Sequence, residues 1–425
     1  MKVIVEPSAA LPLVSMTLAF RAGSGHDPVG KEGLARVTAR MLRRGGGGLT
    51  PSAIEESVDR LGGSFSADAG FGWTAVGAEV LGRNAESMAE LVARVVAKPA
   101  FDEGELGKLR REIEASIVES RDSDPTLAAR ALRREVFPRH AYGRRVGGYV
   151  PTVQSLTPED ARAHHARHFC RENAVIVVSG DVTKKRARAL AEALVEHLPE
   201  GERSKDVVTE PEARTGRHLV FVDKPDRTQM QMLIGTLGAH PHDEDLTALQ
   251  VATAILGGTF SARMMQEVRV KRGWSYGAYA RAGLDQHREM FTMQAAPGSN
   301  DAAGCLSLLV ELLEQWRQDG VTAEELSFTK KYLRRSHVFE IDTASKRAQQ
   351  KLDTELHGLP ADYHTHYTDR VKAVDVRSAN EAIAKRIDPA NLVIAVVGSH
   401  AETGAAIEAA VPGLTSRKVV PYDLE

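Results

Sequence analysis

Two pairs of residues stand four positions apart, at the spacing that places both side chains on one face of an α-helix. His164 and His168 form one pair, and Arg36 and Arg40 form the other. Two histidines at this spacing can bind one zinc ion through their imidazole nitrogens. Two arginines cannot, because a guanidinium stays protonated and offers no lone pair to a metal. The chemistry open to each pair therefore depends on the element that carries it.

The arginine pair belongs to GKEGLARVTARMLRRGGGG, residues 30–48, a stretch typical of a helix that glycines end. This stretch contains no histidine. Its arginines at 36, 40, 43 and 44 leave two interpretations open. They line a cavity and favour acidic peptides, or they form ion pairs with nearby acids such as Glu32 and Glu56.

The histidine pair lies in HHARH, residues 164–168, where no carboxylate stands between the histidines as a general base. A second cluster, HPHDED at 240–245, stands at a predicted helix start, where acids favour the helix dipole. We therefore expect no metal at either cluster. An independent hydrolase that uses the His164 region remains an alternative, which metal analysis of the purified chain would test.

The composition places broad limits on the function. The chain has 425 residues, of which 42% are hydrophobic and 26% charged, as in a soluble globular protein. A formal net charge of -2 gives no general attraction to nucleic acid or to an anionic membrane. No run of about 18 apolar residues predicts a membrane span.

The cysteines and the N-terminus favour a reducing compartment. Cys170 and Cys305 are the two cysteines, so no disulfide framework is predicted. Pro7 and Pro12 interrupt the N-terminal strand pattern before an apolar segment of signal-peptide length forms. We therefore expect a cytoplasmic protein.

Two segments of the chain resemble each other. NAVIVVSGDV starts at Asn173 and NLVIAVVGSH starts at Asn391, which is 218 positions later (391 minus 173). Each reads as a buried strand that a glycine ends. Earlier strands, LVSMTLAFRAG and QMQMLIGTLGA, are each followed by a helix and a glycine cluster, at Gly45 and at Gly257, which is 212 positions later (257 minus 45). The two similar offsets indicate a duplicated α+β domain.

The duplication predicts a first domain at 1–200, a linker at 201–215 and a second domain at 216–425. The stretch 196–216 around this join is polar and carries Pro199 and Pro211. In each domain we expect a sheet with helices packed on one face. The predicted helices are 51–61, 84–97, 103–120, 125–136, 158–168, 244–256, 301–317, 322–351 and 376–386.

Three segments resemble the M16 (pitrilysin-type) zinc peptidases. They are GGTFSARMMQEVRVKRGWSYGAYA at 257–280, DPTLAARALRREVFPRHAYGRRVGG at 124–148, and RHFCRENAVIVVSGDV, which resembles the strand that closes the first half. The resemblance covers nearly the whole chain. It implies two similar α+β domains that form half of a clamshell, and it places 164–168 on a surface helix.

Catalytic chains of this family carry His-x-x-Glu-His on a first-half helix and a further glutamate later in the chain. Alignment on Gly-Leu-Ala places Arg36 and Arg40 at the two histidine ligands, Ala39 at the base and Ile117 at the third ligand. An alignment shift would bring Glu112, Glu114 or Glu119 to that third position. The resemblance therefore implies degenerate metal positions and no zinc in this chain, with zinc expected in a partner subunit.

The resemblance also implies a function for the second half. Arg269 and Tyr276 match the family's Arg/Tyr pair, which binds the substrate peptide near the partner's zinc. We expect a non-catalytic subunit, inactive alone, that completes the peptide chamber of a heterodimer with a catalytic His-x-x-Glu-His chain. The alternative is a homodimer that binds peptides without hydrolysing them.

Overall fold

The computed structural model describes residues 1–424, which form two compact units. Unit 1 comprises Met1–Ile117, Arg144–Val208 and Val338–His364. Unit 2 comprises Val118–Gly143, Thr209–His337 and Thr365 to the C-terminal end of the described chain. Each unit is therefore built from segments of both halves of the sequence.

The strands of the described chain divide between one sheet in each unit. Unit 1 contains β1 (Lys2–Pro7), β2 (Leu13–Phe20), β3 (Ser64–Ala69), β4 (Thr74–Leu81) and β5 (Ala174–Gly180). Unit 2 contains β6 (Arg217–Asp223), β7 (Gln231–Leu237), β8 (Ala278–Ala282), β9 (Met290–Ala295), β10 (Leu392–Gly398) and β11 (Leu414–Pro421).

The α-helices follow the same division. Unit 1 contains α1 (Leu34–Met41), α2 (Pro51–Leu61), α3 (Ala85–Ala97), most of α4 (Glu103–Glu119), α6 (Val150–Ser155), α7 (Pro158–His168), α8 (Lys184–Val195) and α12 (Ala344–Leu356). Unit 2 contains α5 (Asp124–Val136), α9 (Leu246–Thr253), α10 (Ala302–Asp319), α11 (Ala323–Ser336), α13 (Tyr367–Ala373), α14 (Val376–Arg386) and α15 (His400–Ala409). No helix within residues 1–424 is both long and apolar enough to cross a bilayer.

The two sheets have the same strand order. In unit 1 the order is β1-β5-β2-β4-β3, and in unit 2 it is β11-β6-β10-β7-β9-β8. The pair β1 with β5 in unit 1 and the corresponding pair β6 with β10 in unit 2 are parallel, and the next pairs, β5 with β2 and β10 with β7, are antiparallel. Strand β11 adds a parallel edge next to β6. The prediction of two similar α+β domains is confirmed.

The alternating side chains of β2 explain how the sheet of unit 1 is covered. Val14, Met16 and Leu18 lie on one face and belong to a core with α3 and α8. Ala19 lies on the opposite face, which α12 covers with Leu352 and its apolar neighbours. Helices thus cover both faces of this sheet, beyond the single covered face that the sequence predicted.

Helix α5 packs on β6, β7 and β10 in unit 2, and α12 packs on β1 and β5, the counterparts of β6 and β10, in unit 1. Gly235 of β7 permits this close approach, because a Cβ atom there would lie 2.9 Å from the Leu132 side chain. The continuous ranges 1–200 and 216–425 therefore differ from the compact units by the segments that carry α5 and α12. Sequence position does not reveal this exchange, since the contacts are between residues far apart in the chain.

The single helix predicted at 322–351 is interrupted. It consists of α11, a 3-10 turn at His337–Glu340, and α12. The Thr343 side chain accepts a hydrogen bond from the Lys346 backbone N–H and so begins α12. The interruption lies where the chain passes from unit 2 to unit 1.

Candidate functional site

Helix α1 in unit 1 carries Arg36 and Arg40, the two arginines that the resemblance assigns to the histidine ligand positions. Its N-terminus is fixed by buried Asp27, whose carboxylate accepts hydrogen bonds of 2.8 Å from the backbone N–H groups of Gly33 and Ala35. Burial raises the pKa of Asp27 to about 7, against the opposing effect of these two hydrogen bonds. The start of α1 is therefore fixed by the side chain of Asp27, which precedes the helix in the sequence.

Arg36 and Arg40 both face Asp68 on β3. Arg36 donates from Nε and Nη2 to the two carboxylate oxygens, at 2.7 and 2.8 Å, and Arg40 Nε lies 3.7 Å from Oδ1. Burial acts to raise the pKa of Asp68, but the hydrogen bond and charge of Arg36 outweigh it, so the pKa lies below its usual range. The like charges on α1 are thus partly neutralised by one acid.

The remaining arginines of this stretch also contact acids. Arg43 donates to Glu55 at 2.6 Å, and Arg44 donates to Glu112 at 2.5 Å. Both contacts support the ion-pair interpretation of this stretch. The acids involved differ from the Glu32 and Glu56 that the sequence suggested.

Ala39 and Ile117, which the resemblance assigns to the base and to the third ligand, are apolar and buried. Ala39 lies in the core under the sheet of unit 1. Ile117 packs in a cluster with Leu34 and Met41 of α1. Of the nearby acids, Glu114 accepts a hydrogen bond of 2.8 Å from the Gln154 amide.

These side chains do not fit a zinc ion. Two guanidinium groups and an isoleucine offer no lone pair to a metal, and both carboxylate oxygens of Asp68 accept hydrogen bonds from Arg36. Within residues 1–424, no group of three or more His, Cys, Asp or Glu side chains is arranged to hold a metal ion.

The histidine pair on α7 is buried, which corrects the expectation of a surface position for these side chains. The rings of His164 and His168 lie 4.6 Å apart, and His26 lies 5.2 Å from His168. His168 Nδ1 is 2.8 Å from Ser204 Oγ in the segment after α8. Burial lowers the pKa of His168 to about 4, helped by the charges of His26 and Arg167. These rings form a packed interior cluster.

The second cluster, at 240–245, also has internal partners. Asp243 Oδ2 accepts a hydrogen bond of 2.7 Å from the His240 backbone N–H and faces Arg288 and Arg386. Asp245 forms a bidentate pair with Arg386. Arginines therefore occupy both carboxylates.

Arg269 and Tyr276 come together on the surface of unit 2. The Arg269 guanidinium carbon lies 4.3 Å from the centre of the Tyr276 ring and 4.7 Å from the centre of the Phe260 ring. Tyr276 is 81% exposed and Phe260 is 64% exposed. No ion pair or side-chain hydrogen bond holds Arg269 within the described part of the chain. We call these three residues the aromatic–arginine cluster.

Local backbone geometry forms this cluster. Arg269 lies in a π-helical turn, Met265–Val270, a form that is common at functional sites. Gly273 has a φ of 67°, in the left-handed region, and reverses the chain after the turn. Buried Ser275 then donates from Oγ to the Gly277 carbonyl at 2.7 Å and accepts from the Ala296 N–H at 3.0 Å. The backbone on both sides of Tyr276 is thereby fixed.

The charges around the cluster are predominantly positive. Glu267 accepts hydrogen bonds from Lys271 at 2.5 Å and Arg272 at 2.7 Å, and these bonds lower its pKa. Arg263 is neutralised elsewhere, by Glu325 of α11 at 2.6 Å. Arg269 is left without a carboxylate among these groups.

Two family models match the chain in succession. One, described as "Insulinase (Peptidase family M16)", matches residues 2–148, and the other, "Peptidase M16 inactive domain", matches residues 155–333. The chain belongs to the M16 peptidase family. The recognition of an M16 member that lacks the His-x-x-Glu-His motif is confirmed.

Individual M16 relatives align over most of the chain. A crystal structure of a peptidase M16 inactive domain from Pseudomonas fluorescens is 26% identical, with a TM-score of 0.86, and the match covers 93% of this chain and 95% of that one. "Non-peptidase homolog YmxG" of Helicobacter pylori is 21% identical, and the match covers 93% of this chain and 91% of that protein. "Uncharacterized zinc protease YmxG" of Bacillus subtilis is 22% identical, and the match covers 84% of this chain and 86% of that protein.

Sequence reasoning missed two residues that contact the candidate arginines. Asp68 lies in the alternating strand SFSADA, which gives no sign that its carboxylate faces α1. Phe260 lies two positions after the pair Gly257–Gly258, and a glycine pair of this kind marks a turn. Position alone did not indicate that its ring contacts Arg269.

Proposed function

We propose that this chain is the non-catalytic subunit of a heterodimeric M16-type peptidase. It completes a peptide-binding chamber with a partner that bears His-x-x-Glu-His and zinc, and it supplies Arg269 and Tyr276 to the substrate. The observation that carries the proposal is the contrast between two sites. The positions that the resemblance assigns to the zinc ligands hold Arg36 and Arg40 against Asp68, whereas Arg269 is partly buried at the surface and has no acidic partner among the described residues.

The names of the relatives support a non-catalytic role for this chain. One is named a non-peptidase homologue, and a structural relative is an M16 inactive domain. A guanidinium and a phenol can hold a substrate carbonyl or stabilise developing negative charge. Neither group activates water by itself, so hydrolysis requires the partner. In the proposal the isolated chain is therefore inactive and free of zinc.

The test is a reconstituted pair of this chain and the His-x-x-Glu-His chain that co-purifies with it. Arg269→Ala is expected to lower kcat/KM for peptide cleavage by roughly 10- to 150-fold. This range follows from a charged hydrogen bond of about 1.5–3 kcal/mol. Tyr276→Phe removes only the hydroxyl and is expected to cost less. Metal analysis should find zinc in the partner alone.

The matched control is Arg377→Ala, an exposed arginine of α14 in the same unit that pairs with Glu381 at 2.7 Å. It should leave cleavage unchanged. Size-exclusion chromatography should show equal assembly for all variants. Wild-type kcat/KM in a fully assembled Arg269→Ala pair would contradict the proposal. Recovery of a homodimer that binds peptides, with no second chain, would favour the alternative.

A further inference from the structure

The aromatic–arginine cluster has a third member that the family's Arg/Tyr pair does not include. Phe260 contributes a ring to the Arg269 guanidinium, at nearly the same distance as Tyr276. Core packing does not explain the place of Phe260, because 64% of its surface is exposed. Its contact with Arg269 accounts for its position.

The two rings determine which atoms of Arg269 remain available. A guanidinium carries its five N–H donors in its own plane, whereas ring contacts are made through its flat faces. The Phe260 and Tyr276 rings therefore restrict the Arg269 side chain, and its N–H groups have no hydrogen-bond partner among the described residues. A fork of parallel N–H donors matches the two oxygens of a carboxylate.

The surrounding charges favour an anion over a neutral carbonyl. Glu267, the acid nearest in sequence, already accepts from Lys271 and Arg272. Glu325 is held by Arg263. A carboxylate arriving at Arg269 thus meets an unneutralised cation, and the neighbouring Lys271 and Arg272 share the single acid Glu267, which leaves one further net positive charge. A peptide carbonyl would use only part of this charge and of the donor fork.

We infer that the Phe260–Arg269–Tyr276 cluster binds a carboxylate of the peptide ligand, and that Phe260 is a specificity-determining residue because it orients the guanidinium. This inference rests on the proposed function, since it names the ligand group at the same site. The carboxylate comes from the peptide C-terminus or from an acidic side chain, and the experiment separates these sources.

The experiment uses the purified full chain and four fluorescently labelled, N-blocked octapeptides, with binding followed by anisotropy. The parent carries one internal glutamate and a free C-terminus. The others replace the glutamate by glutamine, amidate the C-terminus, or do both. The doubly neutral peptide is expected to bind at least about 10-fold more weakly than the parent. The singly neutral peptide that shows the loss identifies the source.

Variants of the chain test the residues. Arg269→Gln should make all four peptides bind alike, at the level of the doubly neutral one. Phe260→Leu should weaken the parent peptide by roughly 2- to 30-fold and spare the doubly neutral one. Phe328→Leu is the matched control, because Phe328 is 54% exposed on α11 of the same unit. It should bind all four peptides as the wild type does.

The outcomes separate this inference from the proposed function. If Arg269→Gln weakens all four peptides equally, the site binds peptides but the carboxylate inference is wrong. If Phe260→Leu equals the wild type, Phe260 has no role in specificity. Absence of saturable binding of the parent to the wild-type chain also overturns the inference. Cleavage by the reconstituted pair is measured separately and judges the proposed function.

Discussion

Arg36 in unit 1 makes two hydrogen bonds to Asp68, whereas Arg269 in unit 2 contacts two aromatic rings and no carboxylate. Both arginines belong to units with the same strand order. An arginine whose donors are satisfied by an internal acid contributes to local structure. One whose donors are free can contribute to binding. The two arginines thus differ in whether an acid, here Asp68, occupies the guanidinium donors.

The comparison extends to the helices that the units exchange. Leu132 of α5 is fully buried in unit 2, and Leu352 of α12 is buried at the corresponding place in unit 1. We expect Leu132→Ala and Leu352→Ala to lower the free energy of unfolding by about 2–5 kcal/mol each, because each leaves a cavity. Urea unfolding monitored by tryptophan fluorescence and circular dichroism would measure the loss.

The control for these variants is Val118→Ala, since Val118 is half exposed. It should change stability by less than about 0.5 kcal/mol. Limited proteolysis of the Leu352→Ala variant should cleave within unit 1 before it cleaves within unit 2. If Leu132→Ala loosened unit 1 instead, the two helices would not have equivalent roles.

The units should also differ in sensitivity to acid. The buried histidines of α7 have no counterpart in α14, which contains none. The pKa of His168 falls to about 4 through burial and the charges of His26 and Arg167. The unfolded chain binds this proton more tightly than the folded chain does. The contribution of neutral, buried His168 to the free energy of unfolding is therefore complete above about pH 6.5 and is lost as the pH falls toward 4. Between pH 7.5 and 5 the free energy of unfolding is expected to fall by about 2 kcal/mol.

The measurement is the free energy of unfolding at several pH values. His168→Asn should flatten the profile by about that amount. His197→Gln, a change at an exposed histidine, should leave the profile unchanged. An unaltered pH dependence in His168→Asn would assign the acid sensitivity to other groups, such as His164.

The smallest effects concern the two arginine sites. Asp68→Asn should lower the free energy of unfolding by at most about 1 kcal/mol, because the Arg36–Asp68 ion pair is partly exposed and screened by solvent. The pKa of Asp68 is lowered, so its contribution is present at neutral pH and is lost as the pH falls through that pKa. Arg269→Ala should stay within about 0.5 kcal/mol of the wild type. A larger loss for Arg269→Ala than for Asp68→Asn would contradict the contrast between the sites.

Local patterns predicted much of the fold. The buried strands at Asn173 and Asn391, and helices such as 51–61, 158–168 and 376–386, follow from apolar spacing and from capping residues. The duplication followed from the repeated strand pattern. The sequence did not reveal that α5 and α12 change units, because those contacts link residues distant in sequence.

The same limit applies to the site. Arg269 and Tyr276 were found through a family resemblance, and the turn at Gly273 places them together. Asp68 and Phe260 were missed because an acid on a strand and an aromatic in a glycine turn have many ordinary roles. Only their distances from arginines distinguish them.

The position of α12 in the sequence has a consequence for synthesis of the protein. The sheet of unit 1 is complete once β5 ends at Gly180, but one of its faces is covered by residues 344–356. At about 5–20 residues per second, a ribosome needs roughly 10–30 s to add the intervening residues. During that interval Ile4, Val175 and Val177 of the nascent chain lack their native cover. Unit 1 therefore cannot reach its native state during translation until most of unit 2 has also been made.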